Sequence, residues 1–225
     1  MAVITIASHK GGVGKSTLAF HLAGVLALLD SSDGQVLVID GDENRSVLGW
    51  AGKNESGNLP FEVVTLATQA KWFQTGNRAK HIIIDTQARP SRDDLKEIAG
   101  DSDLLIIPTP PQSLSIDTLP LFLDDLRSLG VITPYTFLLT LVDARSKDAE
   151  AARAYLTSMN EPLLEGKMRL FSAFQKAADQ GVLVRDARAE TGKRDKNAGV
   201  AWGDCMDVGK EVWEILEQMK ESTCG

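Results

Sequence analysis

The amino-acid sequence predicts an α/β fold: a single domain over residues 1–225 built on a mostly parallel, twisted sheet of about seven to eight strands, with helices on both faces. Three observations carry that expectation. Short β-branched and aliphatic runs alternate with longer segments of helical period along the chain. Most of the short runs, such as Val36-Leu37-Val38-Ile39 and Ile82-Ile83-Ile84, are continuously apolar, as strands covered on both faces must be. A glycine-rich loop also joins the first of these runs to the first helical segment.

Strands are expected at residues 2–7, 36–39, 61–65, 80–84, 103–108, 135–142 and 168–171. Helices are expected at 15–29, 44–53, 68–75, 92–99, 114–129, 147–159, 173–180 and 205–220. In the helix at 114–129, Leu114, Leu119, Phe122, Leu123 and Leu126 supply the apolar positions. In the last helix Val212, Ile215, Leu216 and Met219 form one stripe beside Trp213, spaced to pack on the body of the fold. Residues 185–204, rich in glycine and charge, read as a long loop.

Hydrophobic residues make up 43% and charged residues 24% of the chain, an ordinary globular balance far from that of disordered or membrane-embedded proteins. A net charge of −7 argues against a surface that grips nucleic acid all over, and leaves room for a confined basic patch. The first residues form a strand-like run rather than a secretion signal, and no apolar run nears the roughly 18 to 20 residues that cross a bilayer, so a cytoplasmic location is expected. Cys205 and Cys224 lack metal-ligand spacing and read as reduced thiols.

The strongest chemical signal is Lys10-Gly11-Gly12-Val13-Gly14-Lys15-Ser16-Thr17, between the first strand and the first helix. Its glycines let the backbone turn tightly and aim successive N–H groups at phosphate oxygens, and the helix N-terminus adds its positive dipole end. In such a loop Lys15 reaches the β and γ phosphates, the Ser16 hydroxyl ligates Mg²⁺ and Thr17 supports the α phosphate. Two further strands end in acids. Asp40 and Asp42 emerge from Val38-Ile39-Asp40-Gly41-Asp42-Glu43-Asn44, and Asp85 follows His81-Ile82-Ile83-Ile84, where it is expected to hold Mg²⁺ through a water. Gln87 and Arg89 follow at a place suited either to a γ-phosphate-sensing switch or to a turn with a surface ion pair.

The run from Lys10 to Thr17 resembles the deviant Walker A box of the ParA/MinD superfamily of P-loop ATPases. The resemblance implies that Lys10 reaches across a homodimer interface to the partner's ATP, that Asp42 positions the attacking water and that Asp40 supports the magnesium shell. Glu43 and Asn44 stand where that family usually has Pro-Gln. It also implies that the helix at 114–129 faces the dimer partner, and that adenine rests near Thr140 to Asp143 and against the Gly181–Asp186 loop, Val182 included.

The short chain, with no helix-turn-helix ahead of the first strand, resembles ParF-like partition ATPases, and the run Asp85–Ser91 is similar to the McdA proteins that space carboxysomes. The acidic polar side of the last helix disfavours a MinD-type membrane anchor, and the cysteines are misplaced for a nitrogenase-type cluster. The two tyrosines and the limited length argue against autokinases and amidotransferases. Arg185, Arg188, Lys193, Arg194 and Lys196, with Arg169 and Lys176 upstream and Lys210 downstream, form a basic stretch partly offset by Asp186, Glu190 and Asp195.

The implied function is an ATP-sandwich homodimer that binds DNA non-specifically on the nucleoid and positions or segregates a cargo, its hydrolysis stimulated by a small ParB-like or McdB-like adaptor. The alternative is a metabolic P-loop enzyme of dethiobiotin-synthetase or cobyrinic-acid-synthase type acting on a small substrate; Lys10 favours the first.

Overall fold

A computed structural model describes residues 1–88, 90–113, 119–128, 130 and 132–223. Arg89, Leu114, Cys224 and the side chain of Leu119 lie outside the described residues. The strands are β1 (Ala2–Ile6), β2 (Gln35–Gly41), β3 (Phe61–Thr65), β4 (Ala79–Thr86), β5 (Leu104–Thr109), β6 (Tyr135–Val142) and β7 (Leu163–Arg169). The helices are α1 (Lys15–Leu29), α2 (Ser46–Ala51), α3 (Leu66–Gln74), α4 (Arg92–Gly100), α5 (Leu119–Ser128), α6 (Asp148–Ser158), α7 (Ser172–Gln180) and α8 (Ala198–Thr223).

The seven strands form one sheet in the order β3-β2-β4-β1-β5-β6-β7, and every pairing is parallel. Chain direction therefore brings all C-terminal strand ends to one edge. β1 lies between β4 and β5, at the point where successive connections leave in opposite directions, the crevice in which open α/β sheets bind ligands. Alternate residues of the buried strands feed different layers. Ile4, Ile6, Val36, Val38 and Ile83 pack with Leu18, Leu22 and Leu26 of α1 and Val208, Val212 and Leu216 of α8. On the other face Leu105, Ile107, Phe137 and Leu139 pack with Phe122, Leu123 and Leu126 of α5 and Leu156 of α6, while Leu37, Ile39 and Ile82 cover Trp72 of α3.

Two expectations are corrected. The last strand is Leu163–Arg169 rather than 168–171. It is an edge strand whose Leu164 and Met168 are buried while Glu165 and Lys167 are exposed, so it lacks the continuous apolar run of the central strands. Residues 185–204 are not one long loop: a 3₁₀ turn spans Val184–Asp186 and α8 begins at Ala198, seven residues before the expected start at 205.

The glycines that read as breakers are interior to α8, where tertiary packing outweighs their low helix propensity. At Gly209 a Cβ would stand 2.3 Å from Val25 Cγ1, so only glycine lets α8 lie this close to α1. The outer edge of β7 is closed by α8. The Glu211 carboxylate accepts the Glu165 and Gly166 amides at 2.7 and 2.6 Å, and Asp204 accepts the Arg169 amide at 3.0 Å.

Candidate functional site

The glycine loop leaves β1 and enters α1 through two left-handed residues, Gly12 at φ 71° and Gly14 at φ 90°, a region closed to most side chains. Gly14 occupies the N-cap of α1 without a side-chain cap, and no acid lies in the first turn. The amides at this helix start are therefore left to a bound anion. Lys15 is 6% exposed, at the base of the loop. Thr140, at the end of β6, donates its hydroxyl to the Val13 carbonyl at 2.8 Å and fixes the loop from below.

The acids stand beside it because of strand register. Asp85 pairs with Ile6 on β1 and with Asp40 on β2, so both acids lie level with the residue that leads into the loop. Asp40 is occupied by backbone: its carboxylate accepts the Asp42 amide at 3.2 Å and the Leu48 amide at 2.9 Å, shaping the turn into α2. Asp42 accepts both the backbone and side-chain amides of Asn44, at 2.9 and 3.0 Å, so Asn44 in the departure from Pro-Gln orients this carboxylate.

Asp85 is fully buried, and among the described residues neither of its carboxylate oxygens has a hydrogen-bond partner. Burial pushes its acid up to about 7; the Asp40 and Asp42 charges push the same way, while the Ser16 hydroxyl and the Lys15 ammonium oppose them. A buried carboxylate with open lone pairs, facing a hydroxyl and an uncapped helix start, fits a hydrated divalent cation. Mg²⁺ is held by one or two carboxylates with phosphate oxygens and waters. It needs no all-protein cage, and no group of three His, Cys, Asp or Glu side chains forms one among the described residues.

Beside the loop, a recess of about 60 Å³ is lined by Gly14, Thr17, Thr140, Leu141, Leu170, Phe171 and Phe174, among others. Leu141 sits there at φ 52°, a strained conformation for a leucine. The aromatic and aliphatic lining suits a flat heterocycle. The expected base-contact residues are thus divided. Thr140 lines this recess, whereas the Asp143 carboxylate is taken up by Arg145, at 3.0 and 2.9 Å, which holds its acid down at about 2.

Val182 lies elsewhere, in a cavity with Asn54, Asn58 and Pro60 beyond the far end of α7. The wall of the recess comes instead from the chain after β7, Leu170 to Phe174, which the sequence reading missed. Its signal was the Phe171 and Phe174 pair directly after a strand.

Arg185, Arg188 and Arg194 converge with Asp186 around a cavity of about 310 Å³. The Arg185 guanidinium lies over the Trp202 ring at 4.9 Å, and Arg194 donates to the Arg185 carbonyl at 2.9 Å. Lys193 and Lys196 are exposed and do not line the cavity. Two basic residues grouped with them by sequence are committed elsewhere, Arg169 to Asp204 and Lys176 to Asp195. A larger cavity of about 400 Å³, lined by Gln35, Asn54, Pro60 and Glu62 among others, opens at the N-terminal ends of β2 and β3, the sheet edge opposite the motifs.

Comparison with known proteins agrees with this geometry. Residues 4–184 match the CobQ/CobB/MinD/ParA nucleotide binding domain. The chain is 28% identical over 216 residues to maintenance of carboxysome distribution protein A of Gloeobacter kilaueensis, covering 93% of each protein. Its fold is similar to that of the Aquifex aeolicus cell division protein MinD, at a TM-score of 0.69 and 17% identity over 95% of this chain and 98% of that one. It is also similar to a Cyanothece McdA variant in complex with ATP, at 0.66 and 18% identity over 96% of both.

Proposed function

The chain belongs to the CobQ/CobB/MinD/ParA nucleotide-binding family, and from that premise we propose that it is a Mg²⁺-dependent ATPase of the ParA/MinD kind. In this reading it closes into a homodimer around ATP, binds DNA without sequence preference and positions or segregates a cargo, with a small ParB-like or McdB-like adaptor stimulating hydrolysis. The observation that carries the proposal is a single glycine loop with a lysine at each end, Lys15 buried at its base and Lys10 at its rim, beside the orphaned carboxylate of Asp85.

The first amides of α1 and the Lys15 ammonium bind the phosphates and balance their charge. Ser16 and Asp85 hold Mg²⁺, with Asp40 in the surrounding shell, and the ion when bound supplies charge neutralisation across the β and γ phosphates. Asp42, oriented by Asn44, positions a water for attack on the γ phosphate. Lys10 extends to the triphosphate of the other subunit, so the γ phosphate belongs to the interface and its loss weakens assembly. Leu170, Phe171 and Phe174 receive the base.

DNA phosphates are met by Arg185, Arg188 and Arg194, with Lys193 and Lys196 beside them. Dimerisation doubles this confined patch on an otherwise acidic chain. Two assays test the proposal. Phosphate release is expected from the wild type and absent in Lys15→Ala; equal rates in both contradict an ATPase at this loop. Fluorescence polarisation with labelled duplex is expected to report binding with ATP alone, declining steeply with salt, whereas equal binding in the apo, ADP and ATP states removes the switch.

A further inference from the structure

His9, immediately before Lys10, is joined to α5. Its ring meets Phe122 edge to face, with centroids 4.6 Å apart and planes at 82°, and its Nε2 lies 3.5 Å from Asp125 Oδ2. Phe122 is itself buried in the layer beneath α5. The later half of the loop is fixed by the bond from Thr140 to Val13, but residues 7–14 belong to neither helix nor strand, and the Lys10 amide makes only a long contact of 3.3 Å to Ser8 Oγ.

We propose that His9 is a positioning residue for Lys10: packed on α5, its ring sets the direction in which the Lys10 side chain leaves the loop. The inference rests on the reading of Lys10 as the residue that bridges two subunits. Consecutive Cα atoms are held about 3.8 Å apart, so fixing residue 9 against a helix removes most of the freedom of residue 10.

The ring contact with buried Phe122 outweighs the ion pair, because the His9 and Asp125 side chains are 37% and 31% exposed and such pairs contribute little. An aromatic replacement should therefore preserve the function where alanine does not. The consequence is a mechanical link: whatever displaces α5 also displaces the lysine on which assembly depends.

The test compares wild type, His9→Ala and His9→Phe by sedimentation with the non-hydrolysable analogue AMPPNP and Mg²⁺, and by titration with ADP. His9→Ala is expected to keep ADP affinity within about twofold while needing on the order of tenfold more protein to reach half dimer, the scale of one residue's backbone freedom. His9→Phe is expected to recover to within about threefold of wild type by keeping the edge contact.

His9→Ala that dimerises like wild type, or that loses ADP affinity as severely as dimerisation, overturns the positioning role while leaving the dimer reading intact. So does His9→Phe behaving like His9→Ala. A wild type that stays monomeric with the analogue overturns the dimer reading itself, and the inference with it.

Discussion

The Val184 amide donates to His21 Nε2 at 3.0 Å, and the opposite ring nitrogen, Nδ1, donates to the Thr17 carbonyl at 2.8 Å. One buried imidazole thus links the first turns of α1, against the glycine loop, to the 3₁₀ turn that carries Arg185. Only the neutral ring makes both bonds, because acceptance at Nε2 requires a free lone pair.

That geometry fixes a pH dependence. Burial lowers the His21 pKa from 6.5 to about 4, against the raising effect of the Thr17 carbonyl. The unfolded chain therefore binds the extra proton first, and stability contributed by neutral His21 is complete above pH 6.5 and lost progressively as pH falls toward 4. The loss is on the order of 3 kcal/mol. Urea denaturation of His21→Gln is expected to be flatter across this window than that of the wild type; parallel curves contradict the assignment.

Asp85 carries the opposite sign. Its folded pKa of about 7 lies above the ordinary 3.8, chiefly through burial, so the folded protein holds a proton that the unfolded chain has released. Nucleotide-free stability should fall as pH rises from about 4 to 7, by up to about 4 kcal/mol. Asp85→Asn should melt higher than wild type at pH 8 without nucleotide, yet gain nothing from ATP with Mg²⁺. Thermal melts at pH 5 and pH 8, with and without the ligands, check both halves.

Thr140 is expected to act through the loop. Thr140→Val keeps the shape but leaves the Val13 carbonyl without its buried donor, costing about 1 to 3 kcal/mol of stability. ADP affinity should fall alongside it, as the loop loses its fixed form. Titration calorimetry giving wild-type affinity for the variant would separate Thr140 from the site.

Glu211 guards the sheet edge. Glu211→Ala frees the Glu165 and Gly166 amides of β7, with an expected cost of about 1 to 3 kcal/mol. An unpaired strand edge also invites pairing between molecules. Light scattering on heating is expected to rise earlier for this variant than for the wild type, while nucleotide affinity in the folded protein stays unchanged.

The phosphate loop and its acids were legible because short contiguous runs encode them: an apolar strand, then glycines and a lysine, or an apolar strand and then Asp. Central strands were legible for the same reason, since Ile82-Ile83-Ile84 can only be covered on both faces. β7 was not, because an edge strand mixes Leu164 and Met168 with Glu165, Gly166 and Lys167.

The early start of α8 was hidden by Gly199 and Gly203, whose cost is offset by packing of Ala198, Ala201 and Cys205 that the local sequence does not announce. Contacts between distant segments were invisible in principle. Nothing near residue 9 predicts Phe122, and nothing near residue 182 reveals that Gly181 lies against the backbone of Trp50 and Lys53, away from the glycine loop.

The central claim is that one triphosphate is gripped by a lysine from each of two subunits. Sedimentation velocity on Asp42→Ala, chosen to retain ATP, and on the same variant carrying Lys10→Ala tests it most directly. A dimer in the first that becomes a monomer in the second, with ATP still bound to both, is the predicted result. A monomer in the first, or a dimer that persists without the Lys10 amine, contradicts it.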